Sequence, residues 1–238
     1  MGTFARGDAI QYTVNANVNG TNQLSTGPFS FKVTSWSTVT NVTGYTNNAT
    51  SVDVTTGDSA GSFTPKLRFV FPTTDSFRMQ FAPSGSGLNT SGLSSYTVSD
   101  SASTLTISNA DLVLKIQKNP YRLAIYKGDG TTLITRQYDP SSFRNLSWAS
   151  DGSSTVTRIE DHYLTPGTER FTGFGERYDY ANQRGKDVNN YVYNQYQNQG
   201  TTHRTYLSFG AVLHELGRLR CLHSQHPILA VQHRYLSN

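Results

Sequence analysis

Apolar and polar positions alternate with a period of two along much of the chain between Ala9 and Phe209. Phe29, Phe31 and Val33 are interleaved with Ser30, Lys32 and Thr34. Successive side chains of a strand point to opposite faces, so this spacing predicts a half-buried strand. Leu112, Leu114 and Ile116 stand in the same relation to Lys115 and Gln117. Tyr121–Lys127 and Thr131–Gln137 flank Gly128-Asp129-Gly130, which predicts a β-hairpin whose glycines supply the positive φ of its turn. Further strand-like runs are Ala9–Val18, Leu67–Phe71, Phe77–Ala82, Tyr96–Ser99, Thr104–Ser108, Thr155–Leu164, Tyr191–Gln197 and His203–Phe209. Polar turn clusters such as Ser84–Gly92 separate them. No segment before residue 210 has a helical period, and there is no internal repeat. The expectation is an all-β fold, a β-sandwich of two large antiparallel sheets.

Composition narrows the function classes. Of 238 residues, 35% are hydrophobic and 15% charged, while Ser, Thr and Asn number 26, 30 and 17. Aromatics at 12% argue against disorder. No run approaches the roughly 18 apolar residues of a membrane-spanning helix. The net charge of +4 comes without a basic stripe, so neither a membrane nor nucleic acid is an expected partner. The single cysteine, Cys221, leaves residues 1–209 without a disulfide or cysteine-based zinc site. Asn-x-Ser/Thr sequons at Asn19, Asn41, Asn48, Asn89 and Asn145 favour a secreted parent weakly, and the first residues contain no signal-like apolar stretch.

The familiar catalytic layouts are missing: no Gly-x-Ser-x-Gly elbow, no phosphate-binding loop and no His-Glu-x-x-His helix. A glycosidase needs two carboxylates about 5 to 9.5 Å apart. Glu160, Asp161, Glu169, Glu176, Asp179 and Asp187 are the available candidates, yet nothing singles out a pair. They are expected instead at turns or beside Arg158, Arg170, Arg177 and Arg184, where they stay ionised. Residues 171–209 interleave Tyr and Phe with Asn, Gln and Arg. That mixture suits a sugar, whose flat face stacks on a ring while amides and guanidinium groups meet its hydroxyls. A Tyr-rich sheet bonded across its own strands has the same composition.

Gly173-Phe-Gly-Glu-Arg-Tyr178, Asn182-Gln-Arg-Gly185, Tyr193-Asn-Gln-Tyr-Gln-Asn-Gln-Gly200 and Arg204-Thr-Tyr206 resemble the end of the N-terminal domain of glycoside hydrolase family 31. The hairpin beginning at Pro120-Tyr121 resembles the same domain. The likeness covers about residues 60–209. It implies a galactose mutarotase-like β-sandwich packed on a catalytic (β/α)₈ barrel that is absent from this chain and would be its partner. The family comprises α-glucosidases, α-xylosidases and α-glucosyltransferases. Its two catalytic aspartates lie on the barrel, and no position here matches their motifs. The resemblance assigns Asn194, Gln195, Tyr196, Gln197 and Asn198 to a loop that contacts the α-linked glucoside, with Arg177 and Arg184 bracing it. It implies no metal and no organic cofactor. Tyr196 stands where some members have a sugar-binding aspartate.

After Phe209 the composition changes, which divides the chain into residues 1–209 and a tail, 210–238. Permitted codons for Ala211–His223, read one base later, encode Pro-Phe-Phe-Thr-Asn-Ser-Gly-Gly-Tyr-Gly-Val-Tyr, a family-like continuation. The tail is therefore expected to be out of frame, and with Glu215, Arg218 and Arg220 it is not expected to supply a strand. His214, His223, His226 and His233 have no standard zinc spacing. The competing functions are a free-standing carbohydrate-binding module and a surface β-sandwich without a ligand.

Overall fold

The computed structural model describes residues 3–18, 20–138, 146–153, 156–164, 170–173, 181–185, 211–214 and 220–222. In chain order the strands are β1 (Ala9–Val18), β2 (Thr21–Lys32), β3 (Ser35–Asn47), β4 (Val52–Asp58), β5 (Lys66–Thr73), β6 (Ser76–Ala82), β7 (Thr97–Asp100), β8 (Thr104–Ser108) and β9 (Leu112–Lys118). They continue as β10 (Tyr121–Lys127), β11 (Leu133–Gln137), β12 (Ser147–Ser150), β13 (Val156–Glu160), β14 (Tyr163–Leu164), β15 (Phe171–Gly173), β16 (Ala211–His214) and β17 (Arg220–Leu222). Among the described residues there is no helix. The expected all-β sandwich is what the chain forms.

Two six-stranded sheets make the two layers, ordered β13-β12-β3-β4-β5-β6 and β14-β11-β10-β9-β8-β7, every pairing antiparallel. The chain builds most of the first layer, crosses to build the second, and returns to lay β12 against β3. The alternation seen in the sequence becomes the inner face of each layer. Val52, Val54, Leu67 and Phe69 of one meet Leu105, Leu114, Ile116, Leu123 and Ile125 of the other in a single core. Trp148, fully buried, sets its ring edge-on to Phe81 at 5.5 Å. Tyr121 of the second layer reaches the first, its hydroxyl 3.8 Å from the Met79 sulfur. Side chains of this size each contribute roughly 1.5–3 kcal/mol when fully buried.

Three features depart from the sequence reading. β3, β4 and β12 are core strands that hydrophobicity did not mark, because Ser37, Thr56, Ser147 and Ser150 occupy buried positions in them. In the β10–β11 turn only Gly130 has a positive φ, 67°. Gly128 serves a different need: a Cβ there would lie 2.1 Å from the Ala110 carbonyl oxygen, so only glycine permits the approach. Lastly, Ala211–His214, expected to lack a strand partner, pairs with Phe171–Gly173 and in turn with Arg220–Leu222. Ladder bonds use backbone groups, which every non-proline residue of the tail supplies. The predicted strands Tyr191–Gln197 and His203–Phe209 lie outside the described residues.

β1 and β2 form a two-stranded sheet of their own. Gly7 N–H to Val33 O at 2.9 Å and Lys32 to Asp151 at 3.2 Å tether its base. Its register pairs Ile10 with Phe31 and Tyr12 with Phe29, gathering the large side chains on one face. The Tyr12 ring lies 5.2 Å from Phe29 and 6.3 Å from Phe31, and Val14, Leu24, Phe29 and Phe31 are all exposed. The half-buried strand expected at Phe29, Phe31 and Val33 thus has its two rings exposed, because β2 pairs with β1 and with neither six-stranded sheet.

Candidate functional site

Of the residues that the sequence assigns to sugar contact, Asn194, Gln195, Tyr196, Gln197 and Asn198 lie outside the described residues, as does Arg177. The same holds for Glu169, Glu176, Asp179 and Asp187. What the structure describes is the platform from which their segment departs and to which it returns.

That platform is β15 with the turn at residues 181–185. The Asn182 side-chain oxygen accepts hydrogen bonds from the Phe171 and Arg184 N–H groups, each at 3.1 Å. The Gln183 N–H donates to the Phe171 carbonyl at 2.8 Å. Asparagine suits this position because its short amide caps nearby backbone donors and closes a turn. Phe171 is fully buried and Gln183 nearly so, which roots the turn in the protein interior. The other edge of β15 is taken by β16, with Phe171 opposite His214 and Gly173 opposite Val212. Residues 186–210 thus start from a turn bonded to β15 and end in a strand bonded to β15. Arg184 stands in the turn itself, on the platform.

The two described carboxylates among the catalytic candidates are structural. Glu160 pairs with Arg158 at 3.4 Å, and the Arg158 guanidinium lies over the Trp36 ring at 5.6 Å. Asp161 departs from the expectation that neighbouring arginines keep these carboxylates ionised. The residue is half-buried with its carboxyl withdrawn from water, and that loss of water raises its pKa from 3.8 to about 6, against the opposing effect of its hydrogen bonds. Its Oδ1 accepts from Gln137 Nε2 at 2.8 Å, from the His162 N–H at 3.0 Å and from the Leu146 N–H at 3.3 Å. Leu146 is held there at a φ of 31°, a left-handed conformation unusual for a branched residue. These bonds join β11, the start of β12 and the β13–β14 connection. The carboxylate is a fastener between layers.

Sequence reasoning named Arg177 and Arg184 as the braces but gave no role to Asn182, whose side-chain oxygen holds the turn. Its signal was present: an Asn two residues before an N–H it can cap, followed by a glycine at residue 185 with a φ of 74°. Asp161 carried no such signal, since nothing local shows that a carboxylate will be buried.

Comparison with known proteins places this architecture. The family model for the glycosyl hydrolase 31 N-terminal galactose mutarotase-like domain matches residues 64–213. An isomaltosyltransferase from Sporosarcina globispora is 44% identical over 217 residues, 91% of this chain and 20% of that protein. The cycloalternan-forming enzyme from Listeria monocytogenes, solved with a pentasaccharide substrate, is 42% identical with a TM-score of 0.79, over 90% of this chain and 20% of that one. A dextranase from Flavobacterium johnsoniae complexed with isomaltotriose shares the fold alone, at 16% identity and a TM-score of 0.54 over 74% of this chain and 21% of that one. The chain therefore spans about a fifth of the length of the relatives it matches most fully. By the match over residues 64–213 and by its sandwich of two antiparallel sheets, the chain belongs to glycoside hydrolase family 31, as its N-terminal galactose mutarotase-like domain.

Proposed function

We propose that this chain is the scaffolding and sugar-contacting domain of a retaining enzyme that transfers or cleaves α-linked glucose units, with transfer of an isomaltosyl group the favoured reaction. One observation carries the reading: 44% identity, across 91% of this chain, to a protein named isomaltosyltransferase. The 42% identity to the cycloalternan-forming enzyme supports the same branch over the dextranase at 16%. In this reading Asn194, Gln195, Tyr196, Gln197 and Asn198 form one wall of the sugar site, carried on the segment whose ends are pinned to β15. Amide groups there bond hydroxyls and the Tyr196 ring stacks on a pyranose face. Retaining chemistry requires a nucleophile and an acid/base flanking the glycosidic bond. Both belong to the (β/α)₈ barrel, the domain's partner, so residues 1–238 alone are inactive.

Purified 1–238 is expected to release nitrophenol from a nitrophenyl α-glucoside no faster than buffer. Turnover that Glu176→Gln or Asp187→Asn abolishes would place the catalytic pair inside this chain and sink the reading. Titration with maltose and isomaltose is expected to give no binding tighter than about 1 mM, because one wall buries little of a small ligand. Tighter binding would make the chain a free-standing carbohydrate-binding module. Joining residues 1–213 in frame to the catalytic portion of the Sporosarcina relative is expected to restore isomaltosyl transfer. A folded but inactive chimaera would count against the transferase assignment.

A further inference from the structure

The outer face of the second layer carries a groove of about 390 Å³ over β8–β11. Its origin is one small residue among long ones. Leu123 and Ile125 point into the core, so Arg122, Ala124 and Tyr126 point outward. Ala124 sits opposite Lys115 on β9 and opposite Arg136 on β11. With strands about 4.8 Å apart, the Lys115 and Arg136 backbones stand roughly 10 Å apart across the alanine. Ala124 is the floor; Arg122, Tyr126, Lys115 and Arg136 are the four walls.

Three of those walls are cationic, and among the described residues no carboxylate lines the groove. Among the described residues, Asp100 is engaged with Lys118, Asp129 by the Thr131 and Thr132 N–H groups, and Asp161 beneath the sheet. Two of the cations are held in place. The Lys115 ammonium donates to the Gly130 carbonyl at 2.8 Å and lies 4.5 Å from the centre of the Tyr126 ring. Arg122 Nη1 donates to the Tyr121 carbonyl at 2.7 Å. Arg136 is exposed, and its guanidinium makes no hydrogen bond or ion pair with any described residue. A guanidinium with free donors beside two anchored cations matches the forked geometry of a carboxylate or phosphate. Gln117, opposite Arg122, and Thr104, opposite Gln117, supply neutral groups for hydroxyls at the same end of the groove.

We propose that this groove binds an anionic sugar, a saccharide carrying a carboxylate or a phosphate, with Arg136 closing on the charge and Lys115 and Arg122 completing the cationic frame. The two charge types are separated by the probes: glucuronate, glucose 6-phosphate, inorganic phosphate and glucose, each titrated into residues 1–238 by calorimetry at low salt. At least one anionic sugar is expected to bind ten-fold or more tighter than glucose and than inorganic phosphate, and to weaken as sodium chloride rises. Arg136→Gln, an exposed change that spares the fold, is expected to weaken it at least ten-fold. Ala124→Leu, which raises the floor, is expected to do the same while leaving every cation in place. The proposal is overturned if neither anionic sugar binds below about 10 mM, if glucose or inorganic phosphate binds as well, or if both variants retain the wild-type affinity.

Discussion

The Gln137 side chain joins the two layers through Asp161: its amide nitrogen donates to the Asp161 carboxylate at 2.8 Å, and its amide oxygen accepts the Leu123 N–H at 2.8 Å. A side-chain amide thus takes a backbone N–H near the start of β10 and ties it to a desolvated acid. Burial raises the Asp161 pKa to about 6. Below about pH 4 the carboxyl holds its proton in the folded and unfolded states alike, and above about pH 6 it is ionised in both. Between these values the folded state keeps a proton that the unfolded state loses. Stability due to this group is therefore full below pH 4 and falls as pH rises through 6, by about 3 kcal/mol at 1.36 kcal/mol per unit. Asp161→Asn keeps an acceptor oxygen for the three N–H donors and removes the titration. The difference between variant and wild type in urea-unfolding free energy is expected to grow in the variant's favour from pH 4 to pH 6. A constant difference would mean that Asp161 titrates normally.

Gly128→Ala is expected to destabilise by roughly 1–3 kcal/mol or more, because the new methyl group meets the Ala110 carbonyl oxygen, a backbone atom with little room to yield. Gly44→Ala, on β3 with nothing within 4 Å of the added carbon, is expected to stay within about 0.5 kcal/mol of wild type. Chemical denaturation of both variants gives the comparison.

Among the described residues, the β1–β2 sheet is held, beyond its own ladder, by the tethers at its base. An isolated two-stranded sheet is marginal in water, and its exposed ring cluster makes it adhesive. Amide exchange in β1 and β2 is expected to precede exchange in β4, β5, β9 and β10. The triple change Tyr12→Ser, Phe29→Ser and Phe31→Ser is expected to reduce self-association in sedimentation velocity. Equal protection of β1 and β5 would show that the sheet is as firmly held as the core.

Asn182→Ala leaves the Phe171 and Arg184 N–H groups without their acceptor. The expected cost is about 1–2 kcal/mol, with faster exchange at those two amides. Asn182→Asp, which keeps the oxygen, is expected to restore most of the protection. If alanine leaves both amides protected, the turn is held by something other than this cap.

The legibility of the fold followed side-chain chemistry. β9 and β10 announce themselves because Leu112, Leu114, Ile116, Leu123 and Ile125 are apolar at every inward position. β4 does not, since Thr56 fills one of its inward positions and buries its hydroxyl by donating to the Pro65 carbonyl at 3.0 Å. A threonine with a buried partner and one in water look alike until the partner is placed. The candidate site divides in the same way. The Asn182-Gln-Arg-Gly185 run was marked by its resemblance, but that Asn182 clamps β15 depends on Phe171, eleven positions away.

By itself the sequence determined the strands whose inward positions are all apolar, such as β9 and β10, because alternation of side chains is a property of the extended backbone and needs no partner. It determined the family through short runs of residues. Tertiary structure alone decided which strands meet. β12 lies on β3, with the Thr38 and Ser147 hydroxyls 3.1 Å apart though 109 positions separate them in the chain. It decided that Asp161 is a desolvated fastener with a raised pKa, since that value reflects the water excluded by distant segments. It also decided that Arg122, Lys115 and Arg136, on three successive strands, frame one groove: strand register, set by the packing of the opposite face, brings their charges together.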